Sequence, residues 1–272
     1  APTSALSLLV FGGGYVGRAV ALEALRRGGR ATATSRDPER RAALTAEGIA
    51  AIDPDDTDAL SAALAQATTV LVTAAPDAKG CPGLRALAAT ASAGSVWPDW
   101  IGYVSSTAVY GDRGGGWVFE DDALNAATLE GARRVRAEAD WLDAGRGMGL
   151  TVQIFRLPAI YGPGRSPIDR LRDGTARLVK KPGQVFNRIH VEDAVAVAWA
   201  DVPRGGSDHL IILDLALVEH DPIRERTARG LGRAESLAGL GFYRFGVERP
   251  AQVQAGHPVH HPRVVLRRLV HA

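Results

Sequence analysis

Three glycines at a fixed spacing, Gly12, Gly14 and Gly17, are the first residues in the chain that could do chemistry. They lie in Phe11-Gly12-Gly13-Gly14-Tyr15-Val16-Gly17, which follows the apolar stretch Leu6-Ser7-Leu8-Leu9-Val10 and leads into Arg18-Ala19-Val20-Ala21-Leu22-Glu23-Ala24-Leu25. The pattern reads as strand, tight turn, helix. At such a junction the first glycine permits the turn, the second lets the backbone approach a pyrophosphate, and the third lets the helix pack close on the strand. Tyr15 and Val16 then lie at the positive end of a helix, where the phosphates of a dinucleotide would sit. A glycine-rich turn can also be only a turn; the strand before it and the helix after it favour the nucleotide reading.

The end of the second strand distinguishes the two nicotinamide dinucleotides, because an acidic side chain there bonds the ribose 2′-hydroxyl and repels a 2′-phosphate. Ser35-Arg36 stand at that place. A hydroxyl and a forked guanidinium suit a phosphate, so NADP is favoured, with NAD as the alternative. The competing reading makes Arg36 a solvated arginine at a helix start and Asp37 an N-cap. Asp53, at the end of the third strand, either bonds the adenine amino group or caps the next helix. Ala74 and Ala75 follow the fourth strand on the same side.

The elements that must position these residues alternate along the chain. Strand character at Arg30 to Ser35, Ile49 to Ile52, Thr69 to Thr73, Trp100 to Ser105 and Leu150 to Phe155 is separated by helices. These run over Asp37 to Glu47, Ala59 to Ala67, Pro82 to Ser92 and Ala123 to Ala144. That order predicts an α/β fold with a doubly wound parallel sheet, whose ligands lie outside the carboxyl ends of the strands. The loop from Gly111 to Gly116 falls on the ligand side. The expected division is a dinucleotide-binding Rossmann domain over 1–160 and a small C-terminal substrate lobe over 161–272, interleaved with the last sheet strands.

Composition narrows the functional classes. The 272 residues, 46% hydrophobic, suffice for one large α/β unit. A formal net charge of +2 gives no reason to expect nucleic acid. Basic residues are arginine except for Lys79, Lys180 and Lys181. The single cysteine, Cys81, excludes an internal disulfide and reads as a small buried hydrophobe or an idle thiol. No stretch is apolar enough to span a membrane, and the first apolar run belongs to the nucleotide strand rather than to a signal peptide. A cytoplasmic protein is expected.

Four blocks taken together resemble the extended short-chain dehydrogenase/reductase superfamily, and most closely its NAD-dependent epimerase/dehydratase branch. They are the glycine turn, Val104-Ser105-Ser106-Thr107-Ala108-Val109-Tyr110-Gly111, Phe155-Arg156-Leu157-Pro158-Ala159-Ile160-Tyr161-Gly162-Pro163-Gly164, and Phe186-Asn187-Arg188-Ile189-His190-Val191-Glu192-Asp193. The resemblance implies a nicotinamide cofactor and often a nucleotide-sugar substrate. It makes Ser106, with Thr107 beside it, the hydroxyl that polarises the substrate oxygen, and places Pro158 against the cofactor. It also turns Tyr110, Arg188 and His190 toward the substrate. Ser105 to Thr107 could instead satisfy backbone at a strand end, and Tyr110 could be a packing residue. His190 opens a helix beside Asp193, where a cap or a ligand contact fits better than general-base chemistry.

The chain departs from the family at its proton donor, a tyrosine followed four places later by a lysine. No tyrosine here has lysine at that spacing. Aligning the family's trailing glutamate with Glu138 puts Glu130 in the tyrosine's place and Arg134 in the lysine's. Burial would raise the pKa of Glu130, but a neighbouring arginine would lower it, which makes a poor acid near neutrality; an ordinary ion-pair ladder on one helix face is the other reading.

From about His209 the pattern fades, although Leu210 to Leu215 still reads as a strand. This tail holds every histidine except His190. His257, His260 and His261 have no carboxylate or thiol at ligand spacing, so no metal is expected. The tail reads as divergent or as the product of an altered reading frame. The expected function is an oxidoreductase or epimerase/dehydratase-like enzyme acting on a small polar or sugar-like carbonyl or hydroxyl compound. A non-catalytic dinucleotide-binding or redox-sensing protein is the alternative; a plain nucleotide or S-adenosylmethionine binder is a third. A homodimer through the long helix would fit the family, but amphipathicity does not separate a dimer face from a core face.

Overall fold

Five crossovers build one parallel sheet. The structure, a computed structural model, describes residues 6–92, 97–98, 100–116, 118–176, 187–201, 244–246 and 265–267. The first strands and helices are β1 (Ser7–Phe11), α1 (Tyr15–Arg26), β2 (Arg30–Thr34), α2 (Pro38–Ala46), β3 (Ala50–Ile52), α3 (Thr57–Gln66) and β4 (Thr69–Val72). They continue with α4 (Pro82–Ser92), β5 (Trp100–Ser106), a 3₁₀ turn (Thr107–Tyr110), α5 (Leu129–Met148) and β6 (Thr151–Leu157). The sheet order is β3-β2-β1-β4-β5-β6, with every pairing parallel. It is the doubly wound order that the alternation predicted, with the reversal of direction between β1 and β4.

The strands are apolar on both faces because helices cover both. Val10, Val70, Val72, Tyr103 and Ile154 are fully buried, and Trp141 of α5 packs its ring against Tyr103. Fully burying side chains of this size stabilises the fold by roughly 1.5–3 kcal/mol each.

Several boundaries differ from the sequence reading. α1 starts at Tyr15, so the glycine turn runs straight into it. α3 starts at Thr57 because Asp56, not Asp53, caps it, accepting the Ala59 N–H at 3.0 Å. α5 starts at Leu129 rather than Ala123 and ends at Met148. Thr128 caps its start through the Gly131 N–H at 3.0 Å, and Gly149 ends it in the left-handed region at φ 67°.

After β6 come β7 (Ala159–Tyr161), α6 (Pro167–Arg172), β8 (Arg188–His190) and α7 (Val191–Asp201), with β7 and β8 paired parallel. α7 packs on α1, where the Arg27 guanidinium lies 4.9 Å above the Trp199 ring. All of these elements belong to one compact unit, Ala1–Ala216, and Leu217–Ala272 forms a second. In the second unit β9 (Arg244–Gly246) and β10 (Val265–Arg267) pair antiparallel, with Phe245 opposite Leu266. The strand expected at Leu210 to Leu215 and the tail histidines lie outside the described residues.

Candidate dinucleotide-binding site

The glycine turn joins β1 to α1 at the point where the sheet reverses direction. Gly12 adopts φ +114°, which only glycine takes without strain. Its N–H donates to Thr34 Oγ1 at 2.9 Å, and its carbonyl accepts from Thr73 Oγ1 at 2.6 Å. Gly13 N–H donates to the Thr34 carbonyl at 2.7 Å. Two threonines at the ends of neighbouring strands therefore hold the turn, and the sequence reading gave neither a role beyond its strand.

Gly17 faces the turn from α1. A Cβ there would collide with the Gly12 carbonyl oxygen and stand 2.8 Å from Val10 Cγ1. Gly14 is the opposite case, since a Cβ there would meet no atom of the described residues within 4 Å. It is also the N-cap of α1, with no side-chain cap bond and no acid in the first turn, and Tyr15 and Val16 beside it are half-buried. An uncapped helix start with backbone exposed at a glycine suits an anion. The cradle fits the pyrophosphate of a dinucleotide.

Arginines dominate the end of β2. Arg36 Nε lies 3.2 Å from Asp55 Oδ2, and both side chains are about 70% exposed, so the pair is weak. Ser35 Oγ accepts the Asp37 N–H at 3.2 Å, and Asp37 caps α2 through the Glu39 N–H at 3.0 Å. Arg41, which the sequence reading passed over, organises this corner. Its Nη1 donates to the Ser35 carbonyl at 2.7 Å, the Arg36 carbonyl at 2.9 Å and Asp53 Oδ2 at 2.9 Å. Asp53 is thus committed to Arg41. A cavity of about 380 Å³ is lined by residues that include Gly13, Arg18, Asp37, Glu39, Arg40 and Glu47. At the end of β4, Ala74 N–H donates to the Phe11 carbonyl at 3.2 Å, and Ala75 is exposed.

Strand alternation at the end of β5 separates two adjacent serines. Ser105 is buried and donates to Glu138 Oε1. Ser106 is half-exposed, and its Oγ accepts the Ala108 N–H at 3.2 Å at the start of the 3₁₀ turn, with Thr107 next to it. Glu138 is 2% exposed and grips Arg156, 4% exposed, through Nη2 at 2.8 Å and Nε at 3.0 Å. Arg156 Nη1 donates to the Tyr110 hydroxyl at 2.8 Å and the Glu120 carbonyl at 3.3 Å. Tyr110, expected to face a substrate, is therefore a core residue that covers this ion pair.

Glu130, Arg134 and Glu138 do not form a ladder. Glu130 is exposed, so the burial on which its acid/base role depended is not there. Arg134 Nη1 donates to the Val104 carbonyl at 3.2 Å. Tyr103, beneath it, is fully buried with its hydroxyl unbonded among the described residues, and burial drives that phenol far above its ordinary pKa.

β7, β8 and α7 assemble the remaining candidates. Pro158 is buried between β6 and β7, and Arg188 is exposed. His190 ends β8, its ring edge-on to Tyr161 at 5.2 Å, and its Nδ1 accepts the Glu192 N–H at 3.4 Å at the start of α7. Burial pushes the Asp193 carboxyl up to about 6, against the opposing pull of His190. A carboxyl whose pKa rises on folding holds its proton better in the folded state, so stability falls as pH rises from about 4 to about 6. Asp193→Asn is therefore expected to stabilise the protein at about pH 7.5 by on the order of 1 kcal/mol, after allowing for solvent exposure, and to have no effect near about pH 4. Urea denaturation at the two pH values checks this; equal stability of both proteins at the higher pH contradicts it.

A glycine cradle at the reversal of a doubly wound sheet defines a Rossmann dinucleotide-binding protein. The sequence pattern of the NAD(P)H-binding family matches residues 12–160, and the chain belongs to that family. It is similar over 75% of its length to a conserved protein of unknown function from Silicibacter pomeroyi, with 37% identity, 71% of that chain covered and a TM-score of 0.66. A dTDP-glucose 4,6-dehydratase from Bacillus anthracis in complex with NAD is 16% identical, with coverage of 77% and 75% and a TM-score of 0.65. The Thermus thermophilus UDP-glucose 4-epimerase in complex with NAD is 19% identical, with coverage of 75% and 76% and a TM-score of 0.61. These last two share the fold. No curated protein sequence matches the chain. Among the described residues no helix is long and apolar enough to cross a membrane, and no three His, Cys, Asp or Glu side chains gather as metal ligands.

Proposed function

We propose that the chain binds NADP(H) and acts as an oxidoreductase or epimerase/dehydratase-like enzyme on a small polar or sugar-like carbonyl or alcohol. The observation that carries the cofactor assignment is Gly14, the uncapped start of α1 with no protein atom against its missing side chain. NADP is favoured over NAD because Ser35 and Arg36 follow β2, where a 2′-phosphate would approach, the exposed pair of Arg36 with Asp55 is weak, and Asp53 at the end of β3 is held by Arg41. A nicotinamide dinucleotide supplies hydride chemistry when bound. Gly12 and Gly17 shape the turn, Gly14, Tyr15 and Val16 form the helix start that receives its phosphates, and Ala74, Ala75 and Pro158 line the same side of the sheet. Ser106 offers a half-exposed hydroxyl at the carboxyl end of β5 to hold a substrate oxygen. Thr107 stands beside it, and Arg188 and His190 contribute from β8.

A non-catalytic, redox-sensing role is the second reading, and one observation favours it. The helix position of the family's acid carries Glu130, which is exposed, and the next turn carries Arg134, which is engaged by the Val104 carbonyl. Calorimetric titration with NADPH and NADH, followed by a screen of carbonyl and alcohol substrates for cofactor turnover, separates the two. Turnover establishes the enzyme; tight binding with none across the screen establishes the sensor. In the same titrations Arg36→Ala is expected to weaken NADPH about tenfold or more and leave NADH unchanged. Equal loss for both cofactors would remove Arg36 from the 2′-phosphate.

A further inference from the structure

The turn at residues 162–165, after β7, is seated on the glycine cradle by a single aromatic ring. The Tyr15 hydroxyl donates to the Pro163 carbonyl at 3.1 Å, and its oxygen stands 2.6 Å from where a Cβ on Gly162 would be. Arg165 closes the turn by donating its N–H to the Gly162 carbonyl at 3.0 Å. Its guanidinium carbon lies 5.5 Å from the centre of the Tyr15 ring. Tyr15 is the first residue of α1 and follows Gly14 directly. A cation thus stands over the side chain of the first residue of α1, the helix whose start presents backbone to a phosphate.

Two arginines act electrostatically on Tyr15, and they differ in their commitments. Arg18 is tied to the Glu47 carboxylate through Nε at 2.6 Å. Arg165 is exposed, and among the described residues no carboxylate lies within ion-pairing distance of it. Stacking over an exposed ring orients a guanidinium without neutralising it. A merely solvated arginine would need no such seat.

We propose that Arg165 is a phosphate contact of the dinucleotide site, carrying a guanidinium from the turn after β7 to the pyrophosphate at the start of α1. This rests on the dinucleotide reading above. The pyrophosphate is common to NADPH and NADH, so the loss on removing Arg165 must be the same for both, whereas a 2′-phosphate contact affects NADPH alone.

The test is calorimetric titration of the full-length protein with NADPH and with NADH, at two salt concentrations, for wild type, Arg165→Met and Arg165→Lys. Arg165→Met is expected to weaken both cofactors about tenfold, to leave their affinity ratio unchanged and to flatten the salt dependence, with Arg165→Lys between it and wild type. The melting temperature of the unliganded protein should not move, because the side chain is exposed. Unchanged affinity in Arg165→Met, a loss confined to NADPH, or a loss accompanied by a lowered melting temperature overturns the assignment and leaves the dinucleotide reading standing. Failure of the wild type to bind either cofactor overturns both.

Discussion

Gly14→Val is expected to abolish dinucleotide binding while the protein stays folded. Among the described residues a Cβ at this position meets no atom within 4 Å, so a side chain can be built there. The backbone permits it as well, with φ −74°. The structural cost is confined to an inferior N-cap, at most about 1 kcal/mol. The functional cost is much larger. The branched side chain would occupy the approach to the start of α1, where two phosphates must come within hydrogen-bonding distance of the backbone. Calorimetry with NADPH alongside a thermal melt of the free protein reads both effects together. A variant that binds as tightly as the wild type would show that phosphate does not approach the chain at Gly14.

Glu138→Ala should produce the largest loss of stability among substitutions away from the cradle. Glu138 and Arg156 are 2% and 4% exposed, and the carboxylate also accepts from Ser105. Removing it leaves the Arg156 guanidinium buried with, among the described residues, only the Tyr110 hydroxyl and the Glu120 carbonyl as partners. Breaking one side of such a pair costs about 3–5 kcal/mol. For a chain of this size that lowers the melting temperature by roughly 10 °C. A change of less than about 1 kcal/mol in a denaturant titration would show that the pair contributes little beyond a neutral contact.

The sequence was most readable where a local rule governs the backbone. The order of β1 to β6 followed from apolar runs between glycine and proline punctuation. The spacing of Gly12 and Gly17 anticipated the positive φ of the turn and the close approach of α1 to β1, because both are set by residues close by in the chain. Long-range partners were not readable. Thr34 and Thr73 hold Gly12 from 22 and 61 residues away, and nothing near either threonine marks that task. Arg41 escaped notice for a related reason: it looks like any arginine on an exposed helix until its three oxygen partners are seen.

The start of α5 was misplaced because Ala123 to Thr128 has helix-compatible composition. In the fold this segment is non-helical and its Asn125 carbonyl packs tightly on Gly111. Ser105 and Ser106 could not be ranked by composition, but the two-residue period of a strand sends one inward to Glu138 and leaves the other half-exposed. The resemblance that placed Tyr110 beside a substrate did not carry its burial, which depends on Arg156 reaching it from β6.

The order β3-β2-β1-β4-β5-β6 also bears on how the chain is made. Each strand after β1 joins an outer edge: β2 and then β3 on one side, β4, β5 and β6 on the other. No strand has to be inserted between two that are already paired. A ribosome delivers the amino end first, and a sheet that grows only at its margins can be laid down in that order. The glycine turn, its two threonine braces and the start of α1 are all complete once β4 has docked, before β5 brings Ser106. The glycine cradle is then the oldest part of the molecule in every round of synthesis, and the end of β5 is added to it.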